Sequence, residues 1–139
     1  MGAVISLRTM ILAILVFGMT GSVVELLFLH HYEDVWQLVP LILIGLGLTA
    51  AGWHAVVGSS SSLRVMRFIM TAFIVSGGLG VWFHYQGSAE FQKETDPSIH
   101  GYALFMKVMQ SKAPPPLAPG LMAQLGLLGL AVTYKGDVS

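Results

Sequence analysis

The chain has 139 residues, of which 55% are hydrophobic and 10% charged, with a formal net charge of zero at pH 7. Soluble domains carry about 25% charged residues, so an ordinary soluble globular protein is excluded, and the lack of a basic excess excludes the electrostatic footprint of a nucleic-acid binder. There are no cysteines, which excludes disulfides, thiolate metal sites, iron–sulfur clusters and thiol-based oxidoreductases of the membrane.

Four apolar stretches account for most of the length: Ser6–Leu29, Val35–Val57, Val65–Tyr85 and Leu117–Tyr134. Each approaches the roughly 20 helical residues that cross a bilayer core. The expected fold is all-α, a single membrane domain over residues 1–139 with four transmembrane helices. In the first stretch Arg8 precedes an apolar run, which resembles a secretory signal. It is longer than the roughly 7–15 residues of a signal core, and no small-x-small cleavage site follows it. It is expected to be a membrane anchor.

The turn after it, His30-His31-Tyr32-Glu33-Asp34, is polar and acidic. The second span closes at Ser59-Ser60-Ser61-Ser62, whose hydroxyls suit the capping of a third helix at Leu63 or Arg64. Between the third and fourth spans, residues 86–116 are expected to form a loop with one short amphipathic helix over about Pro97–Ser111. Asp96-Pro97 reads as its N-cap and first turn, and Ile99, Tyr102, Ala103, Met106 and Met109 recur at helical spacing. That helix is expected on the outer membrane surface or against the bundle. Ala113-Pro114-Pro115-Pro116 then forms a stiff connector to the fourth span, where Pro119 fits the first turn.

Basic residues near the span ends divide four to three: Arg8, Arg64, Arg67 and Lys135 on one side, Lys93, Lys107 and Lys112 on the other. The first set marks the cytoplasmic side, so both termini are expected in the cytoplasm of a bacterial inner-membrane protein. Trp36, Trp82, Tyr32 and Tyr85 mark the outer interface, and Trp53 and Tyr134 the inner one.

Lipid gives helices little hydrophobic reason to associate, so small residues that permit close approach mark the packing faces. These are Gly18 and Ser22 with Glu25 in the first span, Gly47 and Ala51 with His54 in the second, and Gly77 and Gly80 with His84 in the third. Gly126 and Gly129 lie with Thr133 in the fourth. The plain expectation is that these faces are bundle seams, with Glu25 and the histidines turned inward and hydrogen-bonded. A sharper one gathers His30, His31 and Glu25 as imidazole and carboxylate ligands of a transition metal. A third treats His84 or His54 as the single axial ligand of a tetrapyrrole, chlorophyll or haem, with the nearby glycines leaving room for the ring. A bis-histidine haem is disfavoured, because His54 has no histidine partner at the inner end and His84 could pair only with His30 or His31, which sit at a helix terminus.

Three patches carry a resemblance to small bacterial four-span membrane proteins with no assigned activity. They are His31-Tyr32-Glu33-Asp34-Val35-Trp36, Phe83-His84-Tyr85 followed by Gly87 and Glu90-Phe91, and Leu117-Ala118-Pro119-Gly120 running into Ala123-Gln124-Leu125-Gly126-Leu127-Leu128-Gly129-Leu130. The resemblance implies the same topology and brings no chemistry. No nucleophile–base spacing and no phosphate loop occurs. The functional expectation is a non-catalytic accessory subunit of a larger membrane complex, of an energy-converting kind such as a photosynthetic reaction centre or respiratory enzyme. Its partners would be other membrane-protein subunits and bound lipid. A metal- or tetrapyrrole-binding protein, and a small oligomeric transporter or channel, are the alternatives.

Overall fold

A computed structural model describes residues 6–112 and 115–134. They form five helices and, among the described residues, no strand: α1 Leu7–Phe28, α2 Val35–Val57, α3 Ser60–Thr95, α4 Gly101–Met109 and α5 Gly120–Thr133. Three of them, α1, α2 and α3, are long and apolar enough to cross a membrane.

Local chemistry sets the helix ends. The Ser6 hydroxyl accepts from the Thr9 amide at 3.2 Å, and the Asp34 carboxylate accepts from the Trp36 amide at 2.8 Å. These side chains satisfy amides that the first turn leaves without partners. Gly58 ends α2 in the left-handed region, φ 62°, which glycine adopts without a Cβ clash. Ser59 caps α3 by accepting from the Ser62 amide at 3.1 Å, so the serine run starts the helix at Ser60, earlier than expected.

The third helix corrects the predicted span most. Its 36 residues reach about 54 Å at 1.5 Å per residue, and it continues through Gln86–Thr95, where a loop was expected. The hydropathy falls at Tyr85, but Ala89, Glu90, Gln92, Lys93 and Glu94 are good helix formers. Nothing stops the helix until Asp96-Pro97, where the proline restricts the residue before it to extended backbone. Asp96 therefore closes α3 instead of opening the next helix. Its carboxylate accepts from the Ser98 amide at 3.1 Å and from the Ser98 hydroxyl at 2.6 Å, which holds its pKa below 3.8.

The short amphipathic helix exists but is trimmed to Gly101–Met109. It packs Leu104 and Val108 onto Ala89 of the α3 extension, with Tyr85 and Ile99 at the edge, a cluster separate from the core of the bundle. The fourth span is shorter than expected. Leu117–Pro119 form a turn, and α5 has 14 residues, about 21 Å. Four complete spans are therefore not established by helix length.

The four longer helices pack as a ring in which α1 and α3 each neighbour α2 and α5, and the α3–α5 contact is the most extensive. Leu15, Met19, Ile44, Met66, Met70 and Phe73 fill the centre with no exposed surface. Missing side chains make the tight crossings possible. A Cβ at Gly77 would stand 2.5 Å from the Ala123 backbone nitrogen, and one at Gly126 would stand 2.6 Å from the Met70 carbonyl oxygen. Close backbone approach of this kind is how helices associate where burial from water contributes little.

Candidate functional site

The polar chemistry lies at the two ends of the ring. At the end where α1 and α3 begin, two arginines grip the last turn of α5. Arg67 donates from Nε to Thr133 Oγ1 at 3.2 Å and from Nη2 to the Thr133 carbonyl at 2.7 Å. Arg8 donates from Nη2 to the Tyr134 carbonyl at 2.9 Å. A helix C-terminus exposes unpaired carbonyls with partial negative charge, so cations suit it. The start of α1 and the end of α5 thus share one end of the molecule.

His54 belongs to the same end. The Ser62 hydroxyl donates to the Ser59 carbonyl at 2.8 Å, so it is left to accept from His54 Nδ1 at 3.0 Å. Ser62 is fully buried. The imidazole therefore staples the last turn of α2 to the first turn of α3 across the intervening Gly58.

At the opposite end, His84 donates from Nδ1 to the Pro115 carbonyl at 3.3 Å, tying α3 to the lead-in of α5. His31, half-buried in the α1–α2 turn, has its pKa pushed below 6.5 by burial and secondarily by His84. His30 stands at φ 51°, an unusual region for a residue with a Cβ. Its Nδ1 pairs with the Tyr32 hydroxyl at 2.8 Å. Trp36 and Phe83 meet nearby, with ring centroids 6.1 Å apart.

The expected metal set does not assemble. Glu25 is exposed on the flank of α1 instead of turned inward, and the His30 ring is paired with Tyr32. Among the described residues no group of three histidine or acidic side chains converges where a metal ion would sit. The expected space for a tetrapyrrole is occupied by protein. Gly47, beside Ala51 and His54, takes in Met19 and Phe73, while Gly77 and Gly80, beneath His84, take in Ala123 and Pro119. The seam residues Ser22, Gly47, Ala51, Gly77, Gly126 and Gly129 are buried, and Gly18 and Gly80 are partly so. Ser22 satisfies its hydroxyl on the Gly18 carbonyl of its own helix at 2.9 Å.

Two open grooves mark the outer surface, one along α1 by Thr9, Ala13 and Phe17, the other along α3 by Ser61, Arg64 and Phe68. The arginine clamp and the Ser62 staple were not read from the sequence. A signal for the clamp existed, since Arg67 lies seven and fourteen residues before Ile74 and Val81, and that stripe of α3 meets Gly126 and Gly120 of α5. No protein-family model, curated protein or solved structure matches the chain.

Proposed function

We propose that this protein is a non-catalytic accessory subunit of a larger membrane assembly, acting through its surfaces. The filled centre of the ring carries the proposal: Leu15, Met19, Ile44, Met66, Met70 and Phe73 have no exposed surface. A packed apolar core offers no volume for a substrate and no hydrated path for an ion. Arg8, Arg67, Asp34, His54 and His84 are spent on closing or joining helices, which is a structural use.

The surfaces suit contact with other chains. The α3 extension and α4 form a helical hairpin beyond the apolar body, displaying Phe91, Tyr102 and Phe105, which are 64%, 77% and 44% exposed. Outside hydrocarbon, exposed aromatics of this kind mark interaction sites. In this proposal α5 also crosses the membrane, its 14 helical residues lengthened by the Leu117–Pro119 turn.

Mild-detergent purification from native membranes, with mass spectrometry of the sample and its absorption spectrum, tests the proposal. Stoichiometric co-purification of other membrane subunits is the expected result. A particle containing this chain alone, or a visible band lost on His84→Ala or His54→Ala, would sink it.

A further inference from the structure

The second helix has two opposite faces. Ile44, Gly47, Ala50 and Ala51 are buried in the ring. Leu38, Ile42, Gly45, Thr49, Gly52 and Val56 point the other way, and all are exposed. Their spacing alternates four and three residues along the helix, the repeat of a helix–helix seam. Beyond the adjoining stretch of α2 itself, nothing described lies within 4 Å of a Cβ built at Gly45 or Gly52. Thr49 has its hydroxyl satisfied on the Gly45 carbonyl at 2.9 Å, so the face is ready for apolar contact.

Charge identifies the occupant. Among the described residues, the end where α1 and α3 begin carries Arg8, Arg64 and Arg67 and no acid. The other end carries Glu25, Glu33, Asp34, Glu90, Glu94 and Asp96 against Lys93, Lys107 and Lys112. Copies packed side by side in one orientation would set like charge beside like. An inverted copy sets the basic end beside the acidic end at both membrane surfaces.

The shape of the seam agrees. Residues equidistant from Gly47 pair Leu38 with Val56, Ile42 with Gly52, and Gly45 with Thr49. In an inverted pair centred at Gly47, the Ile42 side chain of each copy meets the open Gly52 of the other. Orientation is weakly determined as well, since the sequence divides its basic residues four to three between the sides.

We propose that the chain inserts in both orientations and that a second, inverted copy of it packs on the Leu38–Val56 face of α2, forming a two-fold antiparallel dimer. This does not depend on the accessory-subunit proposal: a particle free of other chains would sink that one and leave the dimer standing.

The protein has no cysteine, so Leu38→Cys and Val56→Cys give unambiguous cross-links on an exposed face. Co-expressed in membranes and oxidised, the two variants should form a disulfide-linked dimer, and each alone should form at least tenfold less. Gly52→Leu in both copies should abolish the link while circular dichroism remains unchanged. In intact cells, Glu94→Cys should be about half accessible to an impermeant maleimide. Efficient self-linking of Leu38→Cys would establish a parallel dimer and overturn the proposal. Complete or absent labelling at position 94 would overturn it too, as would no cross-link together with a monomeric mass in detergent.

Discussion

Arg67 and Thr133 are locked together by two hydrogen bonds, one to the threonine hydroxyl and one to its carbonyl, although 66 residues separate them in the chain. Thr133 is 2% exposed and its hydroxyl donates a hydrogen bond to the Leu130 carbonyl at 2.8 Å. Its Oγ1 is therefore left to accept from Arg67. The pair fixes where the shortest helix of the ring ends, and Arg8 repeats the device one residue later.

Arg67→Ala is expected to destabilise the protein by about 1–3 kcal/mol, the usual range for losing hydrogen bonds from a charged donor. Arg67→Lys should recover only part of this, because an ammonium cannot span Oγ1 and the carbonyl as the guanidinium fork does. Thermal unfolding in a fixed detergent measures both. Equal stability of wild type and Arg67→Ala would refute the clamp.

Neighbouring glycines on α3 should respond in opposite ways. Gly77→Ala places a methyl 2.5 Å from the Ala123 nitrogen, and backbone cannot yield cheaply, so a loss of about 1–3 kcal/mol is expected. Gly78→Ala meets nothing within 4 Å and should leave stability unchanged or raise it slightly, since alanine is the better helix former. Comparison of the two melting temperatures decides whether the α3–α5 crossing is as close as described.

The His54–Ser62 contact should appear as a coupling. His54→Ala and Ser62→Ala each remove one partner, and their effects should overlap by about 0.5–1.5 kcal/mol in a double-mutant cycle. Strict additivity would mean that the imidazole does not staple α2 to α3.

His31 gives a pH dependence of known sign. Its folded-state pKa lies below 6.5, with burial the larger cause and His84 the smaller. The unfolded chain therefore binds the proton more readily, and stability should fall as pH drops below 6.5 towards the folded-state value. His84→Gln should raise the His31 midpoint without restoring 6.5, because burial persists. A side-chain NMR titration of the two proteins measures this, and an unchanged midpoint would contradict the electrostatic influence of His84 on His31.

Much of the fold was legible. Hydropathy located α1 and α2 to within a residue or two, because an apolar run of that length has few alternatives in lipid. The same signal misjudged α3 at both ends. It ended the helix at Tyr85 and began it at Val65, since Ser60–Arg64 and Gln86–Thr95 are polar segments whose helicity comes from capping and propensity. The seam glycines were found by spacing, but the same spacing suggested room for a ring beside His54 and His84. A glycine in a sequence marks only the absence of a side chain. Which neighbour fills that space depends on how the helices cross.

By itself the sequence determined that the chain is helical, that it has helices long and apolar enough to cross a membrane, and which helix faces carry small residues, because apolar runs of that length and the helical repeat leave little else. Only the tertiary structure decided that Met19, Phe73, Ala123 and Pro119 fill the glycine spaces, that Glu25 stays outside, and that α4 folds onto α3. It also set Arg8 and Arg67 on the end of α5. Those outcomes depend on contacts between residues up to 126 positions apart, whose geometry no local periodicity contains.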